Sequence, residues 1–263
     1  MYKLLVSDFD GTLLDSDEAI PLTTMVEIDR IRKDGCLIAI STGRVLKSVM
    51  DYNRDFPFVD YVISCNGAYV YDVNNKKAIY KKNVLPSIMK KIKKMYGEYD
   101  IAFCDTNYWH ILHGKNKERQ LEERERKIKD FDSFYEKNKS NIYKLEILFD
   151  DKKTRDNVYD EIKELKLKLT INKFIYNNYM YGVEITHQDV DKLIGIKKIC
   201  TKNKISLSEV VGIGDSDNDI STIKNVGMGV CVSNASKDIK KIAQMKTSSN
   251  DTKGVEKVIK KLF

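Results

Sequence analysis

The sequence predicts an α/β protein built on a parallel sheet, with a separate α+β segment inserted into it. In residues 1–82 and again in residues 186–263, short apolar runs alternate with helix-like amphipathic segments, which is typical of parallel strands connected by helices. Between them, residues 83–185 contain strand-like segments in which apolar and polar residues alternate, as in an antiparallel sheet that is covered on one face. We therefore expect one domain made of residues 1–82 and 186–263, and a second made of residues 83–185.

The outer segments contain elements that can be assigned from their periodicity. The apolar run at residues 3–7 predicts a buried strand, and the spacing of Met25, Ile28 and Ile31 predicts a helix that stops near Gly35. The strands predicted in these segments are residues 3–7, 36–40, 61–64, 69–72 and 209–214. The helices predicted there are residues 23–33, a helix that runs through Val49, and one that starts near residue 194.

The middle segment has its own set of elements. Its predicted strands are residues 101–104, 108–113, 143–149, 167–174 and 183–186, and its predicted helices are residues 86–96, 118–138 and 154–165. The charges at residues 122–129 are interpreted as an exposed helix face with ion pairs four residues apart. Tyr108, His110 and Leu112 alternate along a strand, where packing within a hairpin is a simpler explanation than contact with a ligand.

Composition narrows the class of protein. The formal net charge of +7 comes from lysines spread along the chain, which indicates solvated faces rather than a nucleic-acid surface. The five cysteines are widely spaced and form no C-x-x-C pair, so reduced thiols are expected. No apolar stretch reaches the roughly 20 residues of a membrane helix, and no signal peptide precedes the first strand. The expectation is a cytoplasmic monomer or weak homodimer that binds neither nucleic acid nor membrane.

Asp8 and Asp10 directly follow the first predicted strand. Residues two apart on an extended chain face the same side, so both carboxylates can converge, and Gly11 lets the chain turn away. Two neighbouring carboxylates need a cation or a shared proton. Mg²⁺ suits such oxygen ligands and would leave one carboxylate oxygen able to attack an electrophile. A turn in which Asp10 caps the next helix would explain the same residues without chemistry.

Three further polar segments follow predicted strands. Ser-Thr-Gly-Arg at residues 41–44 could form a phosphate site at a helix N-terminus or simply cap that helix. Cys-Asn-Gly-Ala at residues 65–68 has the sequence of a tight hairpin. Asp-Ser-Asp-Asn-Asp at residues 215–219 is either a solvated loop or a metal site. The carboxyl ends of parallel strands meet at one edge of a sheet, where open α/β folds bind ligands.

Asp-Phe-Asp-Gly-Thr-Leu-Leu at residues 8–14 resembles the first motif of the haloacid dehalogenase (HAD) superfamily, whose usual members are Mg²⁺-dependent phosphatases with an aspartate nucleophile. The chain length and the segments at residues 41–44, 65–68 and 215–219 are similar to those of the Cof-type (subfamily IIB) phosphatases. This resemblance covers nearly the whole chain. It implies a Rossmann-like parallel-sheet core into which residues 83–185 insert an α+β cap of the C2B type.

The resemblance also implies roles for the acidic residues. Asp8 would be the nucleophile, and Asp10 would serve as general acid and then as general base. Mg²⁺ would be held by the side chain of Asp8, the carbonyl of Asp10 and Asp215, while Asp219 would orient a water beside the metal.

The remaining site residues would hold the phosphoryl group or the rest of the substrate. The residues expected to bind phosphoryl oxygens are Thr42, Gly43, Lys192, Asn218 and the backbone N–H of Phe9. Asn66 and Arg44 are candidates for the substrate pocket.

Lys192 is the assignment whose surroundings depart most from the family pattern. His187 stands where proline is common, and Asp189 and Leu193 stand where glycines are common. The alternatives to Lys192 are Lys197 and Lys198.

The expected activity is hydrolysis of small phosphomonoesters through an aspartyl-phosphate on Asp8. A phosphotransferase or phosphomutase would pass through the same intermediate and is an open alternative. A phospho-ligand-binding regulator is a third, although it would have no need of both Asp8 and Asp10. Sugar phosphates, flavin mononucleotide and pyridoxal phosphate are not distinguished by these motifs, because the cap would supply that choice.

Overall fold

The computed structural model describes residues 2–55, 57–114, 120–176 and 180–263. The strands within these ranges are β1 (Leu4–Ser7), β2 (Leu37–Ser41), β3 (Tyr61–Ser64), β4 (Tyr69–Asp72), β5 (Lys77–Lys81), β6 (Asp100–Cys104), β7 (Trp109–Leu112), β8 (Glu125–Lys127), β9 (Lys144–Phe149), β10 (Leu169–Tyr176), β11 (Met180–His187), β12 (Val210–Gly214), β13 (Met228–Cys231) and β14 (Met245–Lys246). The helices are α1 (Leu22–Lys33), α2 (Leu46–Asp55), α3 (Pro86–Tyr96), α4 (Phe131–Asn138), α5 (Lys152–Glu164), α6 (Lys192–Asn203), α7 (Ile220–Asn225), α8 (Lys237–Ile242) and α9 (Gly254–Leu262).

The chain divides into two compact units. The core unit consists of Met1–Tyr80 and Asp191–Phe263, and the inserted unit consists of Lys81–Val190. The core unit is therefore built from two separated stretches of sequence, which meet in one sheet.

The sheet of the core unit has the strand order β14-β13-β12-β1-β2-β3-β4-β5. From β14 to β3 neighbouring strands run parallel, whereas β4 runs antiparallel to β3. The predicted α/β class with a parallel sheet is confirmed. Because β1, β2, β3 and β12 are parallel neighbours, the polar segments that follow them share one edge of the sheet.

Both faces of this sheet are buried, as expected for parallel strands. Leu5 belongs to an apolar cluster with residues of α1 and α9, while Leu4 and Val6 belong to a second cluster with α6. On α6, Gly195 lies so close to Ile63 that a Cβ atom there would be 2.6 Å from a methyl carbon of that side chain. This close packing fixes the position of the helix that begins at Lys192.

The inserted unit has its own sheet, with the strand order β10-β11-β9-β6-β7-β8. Its neighbouring strands are antiparallel, except for the parallel pair β7 and β8. One set of alternating residues, including Phe103, Leu145 and Ile185, packs in an apolar cluster with residues of α3, α4 and α5. The alternate positions of β9 and β11 carry charges: Lys144 contacts Glu146 at 2.5 Å and Glu184 at 3.2 Å.

The helix predicted at residues 118–138 is wrong over most of its length. Residues 115–119 lie outside the described residues, Glu125–Lys127 form β8 beside β7, and α4 begins only at Phe131. The side chain of Asp130 caps α4 by accepting a hydrogen bond from the N–H of Ser133 at 2.8 Å. The charge run was therefore not a helix face, because pairing with β7 outweighs the helix propensity of its charged residues.

His110 and Leu112 lie opposite Phe103 and Ile101 of β6, as the simpler explanation predicted, whereas Tyr108 precedes β7. His110 contacts Asp105 at 2.8 Å between Nε2 and Oδ2, and Asp105 also accepts the N–H groups of Asn107 and Tyr108. Burial alone would raise the pKa of Asp105, but the hydrogen bonds from His110 and from the two N–H groups together outweigh it, so the pKa is lowered.

Candidate active site

The site begins at the end of β1, where the buried strand delivers Asp8 to the edge of the sheet. The next residues turn sharply, and Gly11 adopts a left-handed φ of +67°. A Cβ atom at Gly11 would lie 3.0 Å from a carboxylate oxygen of Asp215. Glycine therefore meets two needs here, since it permits the turn and lets the backbone approach Asp215.

Lys192 joins Asp8, at the end of β1, to the acidic loop at residues 215–219. Its ammonium donates to Oδ1 of Asp8 at 2.6 Å, to Oδ1 of Asp219 at 2.7 Å and to Oδ1 of Asn218 at 3.2 Å. Burial alone would lower the pKa of Lys192, but the charges of Asp219 and Asp8 together outweigh it, so the pKa is raised and the side chain stays charged. The alternatives, Lys197 and Lys198, are exposed.

Asp8, Asp215 and Asp219 form a carboxylate group in which one oxygen of each lies within 4.8 Å of the others. Burial raises the pKa of Asp8; Lys192 opposes this, and the charges of Asp219 and Asp215 add to it. Burial and then the charge of Asp219 raise the pKa of Asp215 to about 6. One ammonium thus faces three carboxylates, and the remaining negative charge favours a divalent cation.

The donor set fits Mg²⁺, which prefers carboxylate oxygens and keeps several waters. Asp8 and Asp215 are the better placed ligands. Asp219 already uses Oδ1 for Lys192, and its Oδ2 accepts the N–H groups of Asp215 and Ser216 at 3.2 and 3.3 Å. Its position therefore suits a residue that holds the loop and the lysine in place.

The carboxylate of Asp10 lies apart from this group. It is bound by Arg44, whose Nε is 3.0 Å from both carboxylate oxygens and whose Nη2 is 2.5 Å from Oδ1. Arg44 also lies over the buried ring of Phe9, 5.6 Å from its centroid. Arg44 was a candidate for the substrate pocket from the sequence, and its bond to Asp10 was not predicted.

The segment after β2 adopts the predicted turn, with Thr42 buried. The Oγ1 of Thr42 accepts the N–H of Arg44 at 3.0 Å, which is a local cap, and its hydroxyl hydrogen can still be donated to a ligand. Gly43 lies against Asn66, since a Cβ there would be 3.4 Å from the Asn66 Oδ1 atom.

The segment after β3 is a hairpin turn, and it also reaches the site. Ser64 pairs with Tyr69 across the turn. Within it, Asn66 is buried and its Oδ1 accepts a hydrogen bond from Nδ2 of Asn218 at 3.1 Å. Hairpin and site residue are therefore compatible interpretations of the same sequence.

Two polar contacts of the site were not identified from the sequence. Thr12 donates from Oγ1 to Oδ1 of Asp215 at 3.2 Å, and its place in the first motif could have indicated this. Asn234 donates from Nδ2 to the carbonyl of Gly11 at 2.7 Å; residues 227–235 resemble the closing strand and loop of the family, but this contact was not predicted.

Comparison with known proteins identifies the family to which the chain belongs. The family model described as haloacid dehalogenase-like hydrolase matches residues 5–259. A putative phosphatase of Haemophilus influenzae is 24% identical, covering 100% of this chain and 99% of the relative. A 5-amino-6-(5-phospho-D-ribitylamino)uracil phosphatase of Bacillus subtilis is 25% identical, covering 98% of this chain and 94% of the relative.

Solved structures show the same fold. A haloacid dehalogenase-like hydrolase from Bacteroides thetaiotaomicron superposes with a TM-score of 0.82 at 26% identity, with both chains covered completely. One from B. subtilis gives a TM-score of 0.86 at 23% identity, covering 99% of this chain and 100% of the other. Among the described residues, no helix is both long and apolar enough to cross a membrane. The chain belongs to the haloacid dehalogenase-like hydrolases, as a phosphatase of their Cof-type branch.

Proposed function

We propose that this protein hydrolyses small phosphomonoesters, with Mg²⁺ bound and through an aspartyl-phosphate on Asp8. The observation that carries the proposal is the contact of Asp8 with Lys192 beside Asp215 and Asp219. A buried ammonium and a divalent cation together would lower the repulsion between the Asp8 carboxylate and an approaching phosphate dianion. A mere phosphate-binding protein would have no use for a nucleophile held in this way.

In the first step an oxygen of Asp8 would attack phosphorus in line with the leaving oxygen. The new bond joins Asp8 to phosphorus, and the bond from phosphorus to the alcohol oxygen breaks. Asp10 would give its proton to the departing alkoxide. In the second step Asp10 would take a proton from water, whose oxygen attacks phosphorus and releases Asp8 and inorganic phosphate.

The phosphoryl oxygens need donors as charge builds up on them. The Thr42 hydroxyl, the Gly43 and Phe9 N–H groups and the NH₂ group of Asn218 would supply these donors, and Lys192 would attract the phosphoryl oxygens through its positive charge. Mg²⁺, held by Asp8, Asp215 and the Asp10 carbonyl, would neutralise negative charge on the phosphate and orient it when bound. Asp219 would keep Lys192 and the loop of Asp215 in register.

For the substrate we propose a phosphorylated sugar or polyol, or a phosphorylated cofactor such as flavin mononucleotide or pyridoxal phosphate. One relative is named for a phosphoribitylamino-uracil, and one structural neighbour, at 22% identity, is described as a HAD subclass IIB sugar phosphatase. The core residues account for a phosphoryl group and a leaving-group proton but not for the remainder of a substrate. We assign that recognition to the inserted unit, acting as a cap.

The test is phosphate release from a panel of phosphorylated metabolites, with Asp8→Asn as the matched control. Asparagine keeps the shape of Asp8 and loses the attacking charge, so turnover should fall by several orders of magnitude while the fold persists. Release of free phosphate into water separates a phosphatase from a phosphotransferase, which would need a sugar hydroxyl as acceptor. A folded Asp8→Asn protein that kept more than a tenth of the activity would rule out the assignment.

A further inference from the structure

We propose that Asn66 is a positioning residue that aligns Asn218 on Lys192, and through it holds the ammonium against the nucleophile Asp8. The inference rests on the proposed function and changes the expected role of Asn66. From the sequence, Asn66 was a candidate for contact with the substrate. The structure instead points to an indirect role, since its side-chain oxygen binds Asn218, which in turn binds Lys192.

The direction of this chain of hydrogen bonds is fixed by the ammonium. An ammonium has three donors and no acceptor, so the end of Asn218 that faces Lys192 must be its carbonyl oxygen. The same oxygen accepts the hydroxyl of Ser216 at 2.9 Å. The NH₂ group of Asn218 therefore points the other way, and the atom of Asn66 that meets it at 3.1 Å must be an acceptor.

The third N–H group of Lys192 links this chain of hydrogen bonds to the position of Asp8. Two N–H groups bind Asp8 and Asp219, and the third binds Asn218. With all three acceptors in place, the ammonium cannot rotate or shift without breaking a bond. If the amide of Asn218 turned, one acceptor would be lost and Lys192 would hold Asp8 less firmly.

The turn that carries Asn66 is suited to act as a rigid base. Cys65, Asn66 and Gly67 are three consecutive residues with positive φ, at +48°, +55° and +101°. A left-handed conformation is strained for a residue with a Cβ atom, such as Cys65, and persists only when surrounding contacts enforce it.

Those contacts come from the other segments of the site. The N–H of Asn66 donates to the carbonyl of Thr42, and the N–H of Cys65 donates to the carbonyl of Arg44, both at 3.0 Å. On the other side, a Cβ on Gly67 would lie 2.1 Å from the carbonyl oxygen of Asp191, so this turn is packed against the residue before Lys192. The turn is thus held by the phosphate-binding segment and by the start of α6.

Asn66→Gly removes the amide while glycine accepts the left-handed backbone, so the variant does not add strain. We expect kcat to fall roughly tenfold to a hundredfold with little change in KM, because a misplaced reacting group mainly affects the transition state. The loss should be the same factor for an aryl phosphate and for a large phosphorylated metabolite. Lys76→Gly is the matched control: Lys76 is an exposed left-handed residue in another turn, and its replacement should leave kcat unchanged.

A double-mutant cycle with Asn218→Ala separates positioning from contact. If Asn66 acts through Asn218, the double variant should be no slower than Asn218→Ala alone. Asn66→Asp keeps an acceptor oxygen and tolerates the left-handed φ, so it should recover most of kcat while its charge raises KM. Losses that multiply in the double variant, or a loss that depends on the substrate, would overturn the proposal in favour of direct contact.

A second measurement does not depend on turnover. In a protein with ¹⁵N-labelled asparagine, the side-chain NH₂ signals of Asn218 should lose protection from exchange with water in Asn66→Gly but not in Lys76→Gly. Unchanged protection would overturn the role of Asn66 even if the enzyme is active. If the wild-type protein released no phosphate but Asn66→Gly still lost this protection, the proposed function would be contradicted and the positioning role would remain.

Discussion

Arg44 holds the carboxylate of Asp10 with two nitrogens of its guanidinium, at distances of 2.5 to 3.0 Å. The two residues come from the segments after β1 and β2, so the ion pair joins the loop that follows Asp8 to the loop of Thr42 and Gly43. The planar guanidinium can bind both carboxylate oxygens at once, which fixes the orientation of Asp10 as well as its position.

Replacing Arg44 by methionine should impair proton transfer by Asp10. 4-Nitrophenolate is stable enough to leave without a proton, whereas the alkoxide from an alkyl phosphate must be protonated as it leaves. Hydrolysis of alkyl phosphates should therefore fall more than formation of the phosphoenzyme from 4-nitrophenyl phosphate. Burst kinetics with both substrate types would measure this. Arg30→Met on α1, where the arginine is half-buried and pairs with Glu27, is the control. Equal losses for alkyl and aryl substrates would show that Arg44 has another role.

Mg²⁺ should be required for hydrolysis, because one ammonium does not balance the carboxylates of Asp8, Asp215 and Asp219. Removing metal with EDTA should abolish phosphate release, and added Mg²⁺ should restore it. Ca²⁺ should bind and inhibit, since its larger and looser coordination would misplace the attacking oxygen. Full activity in metal-free buffer would contradict the assignment of Asp215.

Lys192→Met should destabilise the protein as well as inactivate it. The change leaves the buried carboxylates of Asp8 and Asp219 without their ammonium, and breaking a buried ion pair in this way typically costs about 3–5 kcal/mol. Urea unfolding would measure the free energy. Lys197→Met, an exposed position on the same helix, should stay within about 0.5 kcal/mol of wild type. Similar stabilities of the two variants would mean that the pair is not needed for folding.

The inserted unit should set substrate preference. It has its own sheet and apolar cluster, and the chain enters and leaves it once, at Lys81 and Val190. Replacing Lys81–Val190 by a short linker should leave a folded core unit that binds Mg²⁺. Its rate on a small aryl phosphate should survive better than its rate on the preferred metabolite, which alone would use contacts with the cap. A shortened protein with the wild-type ranking of substrates would place specificity in the core loops.

His187 should make the stability of the protein depend on pH. Its Nδ1 accepts the N–H of Asp189 at 3.1 Å, which requires an unprotonated nitrogen. Burial, then the charge of Lys82, lower its pKa below the ordinary 6.5, with Lys168 adding to the effect and Asp189 opposing it. A depressed pKa stabilises the folded state above pH 6.5, and this contribution is lost as the pH falls below that value.

The melting temperature should therefore drop more between pH 7.5 and 5.5 in the wild-type protein than in His187→Asn. Asparagine does not titrate in this range, so it removes the contribution of the imidazole while keeping a polar side chain. Parallel curves for the two proteins would contradict the role given to His187.

Local sequence patterns predicted the elements that are buried by their own apolar residues. The residues 3–7, 36–40 and 61–64 correspond closely to β1, β2 and β3, because an apolar run followed by polar residues has few other uses in a parallel sheet. The edge location of Asp8 and Asp215 follows from the same rule. The α/β class was predictable for this reason, whereas the family was identified from the resemblance of residues 8–14, 41–44, 65–68 and 215–219 to its motifs.

Contacts between distant side chains could not be predicted in the same way. Asn66 and Asn218 are 152 residues apart, and their hydrogen bond depends on how two turns face each other. The bond between Arg44 and Asp10 depends on side-chain conformations that no periodicity encodes. The error at residues 118–138 has a similar origin, since β8 exists only because β7 lies beside it.

The position of β1 between β2 and β12 has a consequence for biosynthesis. The strand that leads into Asp8 is made well before its partner β12, which begins about 200 residues later, at Val210. At roughly 5–20 residues per second, a ribosome needs on the order of 10–40 s to supply that partner. During this interval one side of β1 has unpaired peptide groups, and the inserted unit can fold before the core unit closes. Premature pairing of that exposed edge with another nascent chain is the hazard that this order of assembly creates, and it makes shielding by the ribosome or a chaperone most valuable before Val210 emerges.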